Sequence, residues 1–322
     1  MGAATLLLGE RSRFGGQRLS ETTGAALARA DLRCADLSEY PSSHLHRAFD
    51  VLPRGWPVAA VTRQRDVGDA GSAVWVRADP AYIRPELGGA RLMAYGDALG
   101  LDVVDVEAFL PPLKPLFGDF GFLLDAPVAS RWYLQLPPGA RVPVFAAPDE
   151  ALGADLIDQI PGSEPDAVRA SAESRRWRSL LSESQVLLHN HPRNAERIES
   201  GLAPVNSLWF WGAGVLPDHV RSEHEELLSD DESLHAFALR AGLAVAPLPP
   251  HWQDPAGDRL VDLRHVRDLA QLQSDWLQPM QQSLAARRLD RAVLDFADGS
   301  RYLLARNQRW RFWRRPMRSL AT

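Results

Sequence analysis

The chain has 322 residues, 45% of them apolar and 24% charged, with a formal charge of −5. That is enough for one large domain or two ordinary ones, and the composition is that of a globular fold rather than a fibrous or disordered one. The single cysteine, Cys34, excludes an intrachain disulfide and fits a reducing cytoplasm; no apolar run is long enough to span a bilayer, and the net charge gives no global case for nucleic acid.

The apolar run Thr5–Leu8 predicts a first strand, and TTGAALARADL a helix after it. GWPVAAVTRQ is a second apolar run. SAVWVRADP predicts a strand that ends at Pro80, because proline has no N–H to give a ladder, and GARLMAYG its hairpin partner. LDVVDVEAFLPPL predicts a short helix broken at Pro111. Arg131–Leu136 predicts another strand, closed by Pro-Pro-Gly, and a Pro- and Gly-rich connection follows around IPGSEPDA.

SRRWRSLLSESQVLLHN carries Trp177, Leu180, Leu181, Val186 and Leu187 or Leu188 at helical spacing. PRNAERIESG continues for a turn or two, with Gly201 as its cap. VNSLWFWGAG predicts a strand. Val205, Ser207, Trp209 and Trp211 share one side and Asn206, Leu208 and Phe210 the other, so a central strand covered on both faces is expected. Ser229 and Glu232 form a capping-box pattern. LAVAPLP predicts a strand, LRHVRDLAQLQSDWLQPMQQSLAARR one long amphipathic helix, and RAVLDFADGSRYLLAR a hairpin about Ala297-Asp298-Gly299. The alternation of strand and helix predicts an α/β fold. Its core is expected from both chain ends, with boundaries at 1–70, 71–203 and 204–322, the middle being an inserted α+β domain.

The stretch HPRNAERIESGLAPVNSLWFWGAG resembles the archaeal-type cofactor-independent phosphoglycerate mutases of the alkaline phosphatase superfamily. The residues that carry the likeness are His191, Pro192, Asn194, Arg197, Asn206, Trp211, Gly212 and Gly214. SAVWVRADP looks like that family's Arg-Cys-Asn strand, with Arg77 kept and Asp79 in place of asparagine. SRWYLQLP looks like its Tyr-Arg strand, with Arg131, and DEALGADLIDQIPG like the loop after its Asp-Pro-His step. The overall look is of a bacterial branch, some members of which are labelled regulatory. The resemblance implies an alkaline-phosphatase-like core and a substrate-type insertion. It implies that His191, Asn194, Arg197, Asn206 and Gly212 line one surface for a small phosphorylated acid, with Arg131 facing them and Arg77 contributing.

The departures from the family concern its chemistry, phosphoryl transfer at two divalent metals, which needs a Ser or Thr nucleophile with Asp and His ligands. No Asp-Gly-x-Gly-Asp segment opens the chain, and the N-terminal region is short. In HWQDPAGDRL, Asp254 and Gly257 are kept but Asp258 stands where the family has histidine. In VLDFADGSR, Asp295 is kept but Phe296 replaces a ligand histidine. His251, Asp254, Asp258 and Asp295 are thus a remnant metal set. His251, Asp254 and Asp258, with Asp262 and His265, form the one cluster of metal-like composition, suited to Mn or Mg if the site survives and to no cofactor otherwise, though polar residues entering a helix explain it equally.

Each candidate has a structural alternative. His191 and Asn194 can cap a helix, while the neighbouring His189 and Asn190 add donors for an anion. Arg77, Arg131 and Arg197 can hold carboxylates of the protein as well as those of a ligand. Gly212 and Gly214 can serve a tight turn, and Trp209 and Trp211 the core. The tail RNQRWRFWRRPMR can bind nucleic acid or a protein partner, but an edge strand guarded by arginine is favoured and nucleic acid is the less expected partner. The leading expectation is a cytoplasmic, catalytically degenerate mutase-like binder or regulator. The alternatives are an active mutase or phosphatase with a remodelled site, and an interaction protein that uses the tail.

Overall fold

The computed structural model describes residues 2–34, 44–86, 89–137, 139–152 and 172–321. The connection IPGSEPDA and most of DEALGADLIDQIPG lie outside them. The chain divides into two compact units, Met1–Arg54 with Asp218–Thr322, and Gly55–Pro217.

The N-terminal part supplies β1 (Gly2–Leu8), α1 (Glu21–Arg29), β2 (Asp31–Cys34), α2 (Leu45–Ala48) and β3 (Asp50–Leu52). Ser20 starts α1 by accepting the Thr23 N–H. β1 is apolar at nearly every position, as a strand covered on both faces must be.

The inserted unit contains α3 (Val58–Asp66), β4 (Val74–Glu86), β5 (Gly89–Tyr95), α4 (Val103–Asp119), β6 (Leu123–Val128), β7 (Arg131–Leu136), α5 (Pro148–Ala151), α6 (Ala172–His189), α7 (Arg193–Glu199) and β8 (Ser207–Gly214). Its sheet is antiparallel around β4, which pairs with β8, β7 and β5. The second apolar run is therefore a helix here, and β8 belongs to this sheet. That is why the unit boundaries fall at 54/55 and 217/218 rather than near 70 and 203.

Pro80 does not end β4. The strand's pairing with β7 stops at Arg77 and its pairing with β5 starts at Ala81. Asn206 occupies the β8 edge at Ile83, so β7 and β5 share the opposite edge, and Pro80 sits in the gap between them. α4 likewise runs through Pro111, Pro112 and Pro115. Phe109, Leu113 and Phe117, four residues apart, are fully buried and hold it.

Val76, Ala78, Trp132, Leu134, Leu208 and Phe210 pack on α4 and on Trp177, Leu180 and Leu188 of α6. Ser184, buried, takes the place in this stripe that the spacing gave to Val186, which is exposed. On the other face Trp75 and Tyr133 pack on Ala59 and Ala60 of α3.

The C-terminal part adds β9 (His219–Arg221), β10 (Glu226–Leu228), α8 (Glu232–Arg240), β11 (Ala244–Ala246), β12 (Arg259–Leu263), α9 (Leu269–Leu272), α10 (Gln278–Ala285), β13 (Leu289–Phe296) and β14 (Ser300–Ala305). The core sheet has the order β11-β10-β12-β1-β13-β14-β2, parallel from β11 to β13, and β3 pairs with β9 apart from it. The fold is mixed α/β, with a core sheet drawn from both chain ends.

Asp231, not Ser229, caps α8, accepting from the Ser233 and Leu234 N–H groups. The expected long helix starts at Asp268 and passes through a π turn, Gln273–Leu277, into α10. Pro279 has no N–H for the carbonyl of Asp275, and the Trp252 N–H takes that carbonyl at 2.8 Å. The tail is not an edge strand. After a 3-10 turn, Arg306–Trp310, it runs irregularly back over α1, where the Met317 N–H meets the Gly24 carbonyl. Among the described residues no helix is long and apolar enough to cross a membrane.

Candidate functional site

Parallel α/β sheets bind ligands beyond the carboxyl ends of their strands. At that edge of the core sheet Leu7 is in register with Asp262 of β12 on one side and Asp295 of β13 on the other. Residues in register point the same way, so both carboxylates share one face, two strand spacings or about 10 Å apart. Their chain neighbours Val261, Leu263, Leu294 and Phe296 point into the core on the opposite face.

Each carboxylate is buried and held by an arginine. Arg264 grips Asp262 with Nε at 2.8 Å and Nη2 at 2.9 Å, the Ser229 hydroxyl donates to it at 2.9 Å, and Arg264 Nη2 also reaches Asp231 at 2.6 Å. Burial alone would raise the Asp262 carboxyl, but Arg264 and Ser229 hold it below the usual range. Arg47, from α2, donates Nε and Nη2 to Asp295, and Arg301 stands 3.6 Å from the same carboxylate.

His44, beside α2, is 7% exposed, and neither ring nitrogen has a hydrogen-bond partner. Burial first, then the charges of Arg264 and Arg47, push its imidazole down to about 3, so the ring is neutral.

This donor set does not suit a divalent cation. A metal needs open carboxylate lone pairs, and here guanidinium groups fill them while two positive charges bear on the one buried imidazole. The remnant set expected from the resemblance is also differently employed. Asp254 accepts from Ser283, Trp252 and Arg288. Asp258 accepts the Ala3 N–H at 2.9 Å and so fixes the start of β1. Asp295 is held by Arg47, and His251 and His265 are exposed. Among the described residues no three His, Cys, Asp or Glu side chains are grouped to hold a metal.

In the inserted unit the three arginines do not converge. Arg77 alternates with Val76 and Ala78 and lies on the α3 face. It pairs with Asp79 through Nε at 2.9 Å and Nη2 at 2.8 Å, between the rings of Tyr133 and Trp211. Asp79 also accepts Trp211 Nε1 at 2.7 Å. Arg131 and Tyr133 share that face and meet at Asp66, at 2.8 and 2.6 Å.

Arg197 lies on the opposite, α4 face. It is 1% exposed, pairs with Asp105 of α4, and donates to the Leu99 carbonyl at 2.6 Å and the Ala203 carbonyl at 3.0 Å. The expected surface with Arg131 facing Arg197 is therefore corrected: a sheet lies between them.

The rest of the motif is bound up in the backbone. Asn194 donates to the Leu188 and Val205 carbonyls and accepts the Val205 N–H. Asn206 pairs both ways with the backbone of Ile83, adding a rung to the β4–β8 ladder. The His191 ring packs on Phe109 at 4.9 Å, and its Nδ1 accepts the Arg193 N–H. Asn190 bonds back to Val186, and His189 is exposed. Gly212 has φ +63°, and a Cβ there would stand 2.8 Å from Val58 Cβ; at Gly214 one would stand 2.6 Å from Pro57 Cβ. The Gly-Ala-Gly step lets α3 lie against β8.

His44, Arg47 and Arg264 were not singled out in the sequence. A signal for their site was present in the two similar segments LVDL and VLDF, each with an aspartate one residue before its end.

No family model matches the chain. Three curated relatives are partly similar. A probable 2,3-bisphosphoglycerate-independent phosphoglycerate mutase of Geobacter sulfurreducens is 31% identical over 98 residues, 30% of this chain and 22% of that protein. Those of Methanosarcina barkeri and Methanosarcina mazei are 33% identical over 103 residues and 47% identical over 71. The chain thus spans about a quarter or less of the length of the curated relatives it matches. Among solved structures, the cofactor-independent phosphoglycerate mutase of Thermoplasma acidophilum is similar at a TM-score of 0.38 and 15% identity, covering 95% of this chain and 90% of that one. A Pyrococcus horikoshii protein is similar at 0.43 and 12%, covering 94% and 86%.

Proposed function

We propose that this is a phosphoglycerate-mutase-like protein that has given up metal-supported phosphoryl transfer and works as a non-catalytic binding or regulatory protein. The partial likeness to cofactor-independent mutases supports the family part of this reading. One observation carries the rest: the two carboxylates at the carboxyl edge of the core sheet, Asp262 and Asp295, are each closed by an internal arginine. A bidentate guanidinium takes the oxygen positions a metal would need. The polar residues of the inserted motif support the same reading, since their donors and acceptors serve the protein's own backbone and acids.

The test is interconversion of 2- and 3-phosphoglycerate, followed by phosphorus NMR with Mn or Mg added. No turnover above a protein-free control is expected. Turnover that chelation abolishes overturns the reading. Manganese titration of the Arg47→Ala, Arg264→Ala double variant adds a second readout. Freed of their arginines, the carboxylates are expected to take up manganese that the parent protein does not bind.

A further inference from the structure

From Gly299 to Thr322 the chain carries seven arginines and no aspartate or glutamate, although its overall charge is −5. This tail does not trail away: every third side chain from Gln308 is turned to the protein and fastened there. Gln308 donates to Asp31 and to the Leu303 carbonyl. Arg311 pairs with Asp31 and covers the Arg29 carbonyl, and Arg314 donates to the carbonyls of Ala28 and Ala30 at 3.0 Å each. Met317 packs on the core cluster and Leu320 is buried in it. The backbone is pinned too. The Met317 N–H meets the Gly24 carbonyl and the Leu19 N–H meets the Arg318 carbonyl, both at 3.0 Å. Gly24 stands inside α1, where glycine weakens a helix. It makes room for the crossing, since a Cβ there would lie 2.1 Å from the Met317 carbonyl oxygen.

The fastening leaves three rings and three guanidinium groups outside. Trp310, Phe312 and Trp313 are 65%, 75% and 69% exposed. Phe312 and Trp313 meet edge to face at 5.6 Å, and Arg309 lies 4.8 Å over the ring of Trp310. Arg309, Arg315 and Arg318 are exposed and form no ion pair among the described residues. An edge strand guarded by arginine would account for such residues, but the tail is not a strand. Large rings held in water on a pinned backbone take no part in the core, and an exposed apolar surface rimmed by charge marks a place of contact.

We propose that this segment binds single-stranded nucleic acid, with bases stacking on Trp310, Phe312 and Trp313 and phosphates pairing with Arg309, Arg315 and Arg318. A run of arginine without acids calls for a polyanion, and three classes exist. An acidic peptide brings carboxylates, but its charged stretch has no flat apolar face for the rings. A lipid surface takes up aliphatic side chains together with aromatic ones, whereas here Met317 and Leu320 are turned to the core and only rings stand outside. A single strand repeats one charge and one flat ring in every unit, and guanidinium groups beside open rings answer both. A duplex hides its base faces in its own stack. The inference does not depend on the loss of metal chemistry proposed above.

Fluorescence anisotropy of labelled oligothymidylate and oligouridylate of about eight nucleotides, titrated with the intact protein, tests it. Saturable binding is expected at about 1–100 micromolar, with quenching of tryptophan emission. The two strands are expected to bind alike, being held by charge and ring alone; the tighter, if they part, is the source. Alanine at Trp310, Phe312 or Trp313 is expected to weaken binding about fivefold or more. Arg315→Gln and Arg318→Gln are each expected to lower the slope of log affinity against log salt by about 0.7. All five positions are exposed, so these variants are expected to melt within about two degrees of the parent, which separates lost binding from lost folding. Duplex DNA, polyglutamate and phosphatidylglycerol vesicles serve as competitors. No saturable binding overturns the proposal, as does binding undiminished when all three rings are alanine. Competition by duplex or polyglutamate as strong as by the unlabelled single strand reduces the segment to bare charge and overturns it, and stronger competition by vesicles overturns it in favour of a lipid surface.

Discussion

Arg197 and Asp105 stand 92 positions apart in the chain and meet with both side chains enclosed. Replacing one partner of such a pair leaves the other charged and unpaired, at a cost of about 3–5 kcal/mol. Arg197→Ala is therefore expected to lower urea stability by about that much; a loss below about 1 kcal/mol would mean that the pair is as loose as one on the surface. His44 sets an acid limit. Its ordinary value is 6.5 and its folded value about 3. Below 6.5 the unfolded chain takes a proton that the folded chain refuses, so stability that is full above 6.5 is lost as the pH falls toward 3. Each tenfold difference in proton affinity between the two states is worth about 1.4 kcal/mol, so the effect reaches a few kcal/mol at most. Between pH 6.5 and 4.5 the carboxylates with lowered values stay ionised, while burial raises the Asp79 carboxyl, which acts in the opposite sense, so the loss of stability in this window falls to imidazoles. Burial lowers His46 and His224 as well, and His44 furthest. His44→Phe is expected to flatten melting temperature against pH there; an unchanged slope would assign the acid loss to other groups. The sequence displayed these polar residues without their partners. A guanidinium suited to a ligand's carboxylate suits one of the protein's own equally well, and Asp295 lies 248 positions from Arg47. Asn206 was legible as polar but not as a substitute for a peptide group, because that depends on how far β8 runs beside Ile83.

Elements whose apolar spacing and turns agree were read closely from the sequence. β7 falls on Arg131–Leu136, and the β13–β14 hairpin turns at Gly299 with φ +86°. The two-faced pattern of β8 matched a strand buried on both sides. The misreadings share a cause. Pro80 and Pro111 break elements in isolation, and what overrides them is a change of strand partner or a buried stripe of phenylalanine and leucine, neither of which is local. Ser229 met the spacing of a cap but was drawn to Asp262 across the sheet. The prolines of α4 are expected to cost stability. Pro115 is exposed and inside the helix, where proline is up to about 3 kcal/mol worse than alanine. Pro115→Ala is expected to raise stability by about 1–3 kcal/mol, which is several degrees of melting temperature. A fall would show that the proline ring packs on a neighbour that alanine cannot reach.

At the scale of the molecule, the inserted unit has its own sheet and its own buried cluster between β4, β7, β8, α4 and α6. A chain of residues 55–217 is expected to fold alone, with coincident thermal transitions by far-ultraviolet circular dichroism and tryptophan fluorescence; transitions that separate, or none, would show that it needs the remaining chain. The core unit cannot form so early. β1 lies between β12 and β13, and Leu7 meets neighbours at 262 and 295. At a translation rate of about 5–20 residues per second, β1 waits on the order of ten seconds to a minute for its partners to leave the ribosome. Throughout that wait Leu6, Leu7 and Leu8 are an uncovered apolar strand, while the inserted unit behind them is free to close. A polypeptide interrupted before β12 would thus carry a finished unit and a bare strand on the same chain. It would be soluble enough to persist and sticky enough to recruit others, the kind of fragment that a cell's chaperones and proteases must clear.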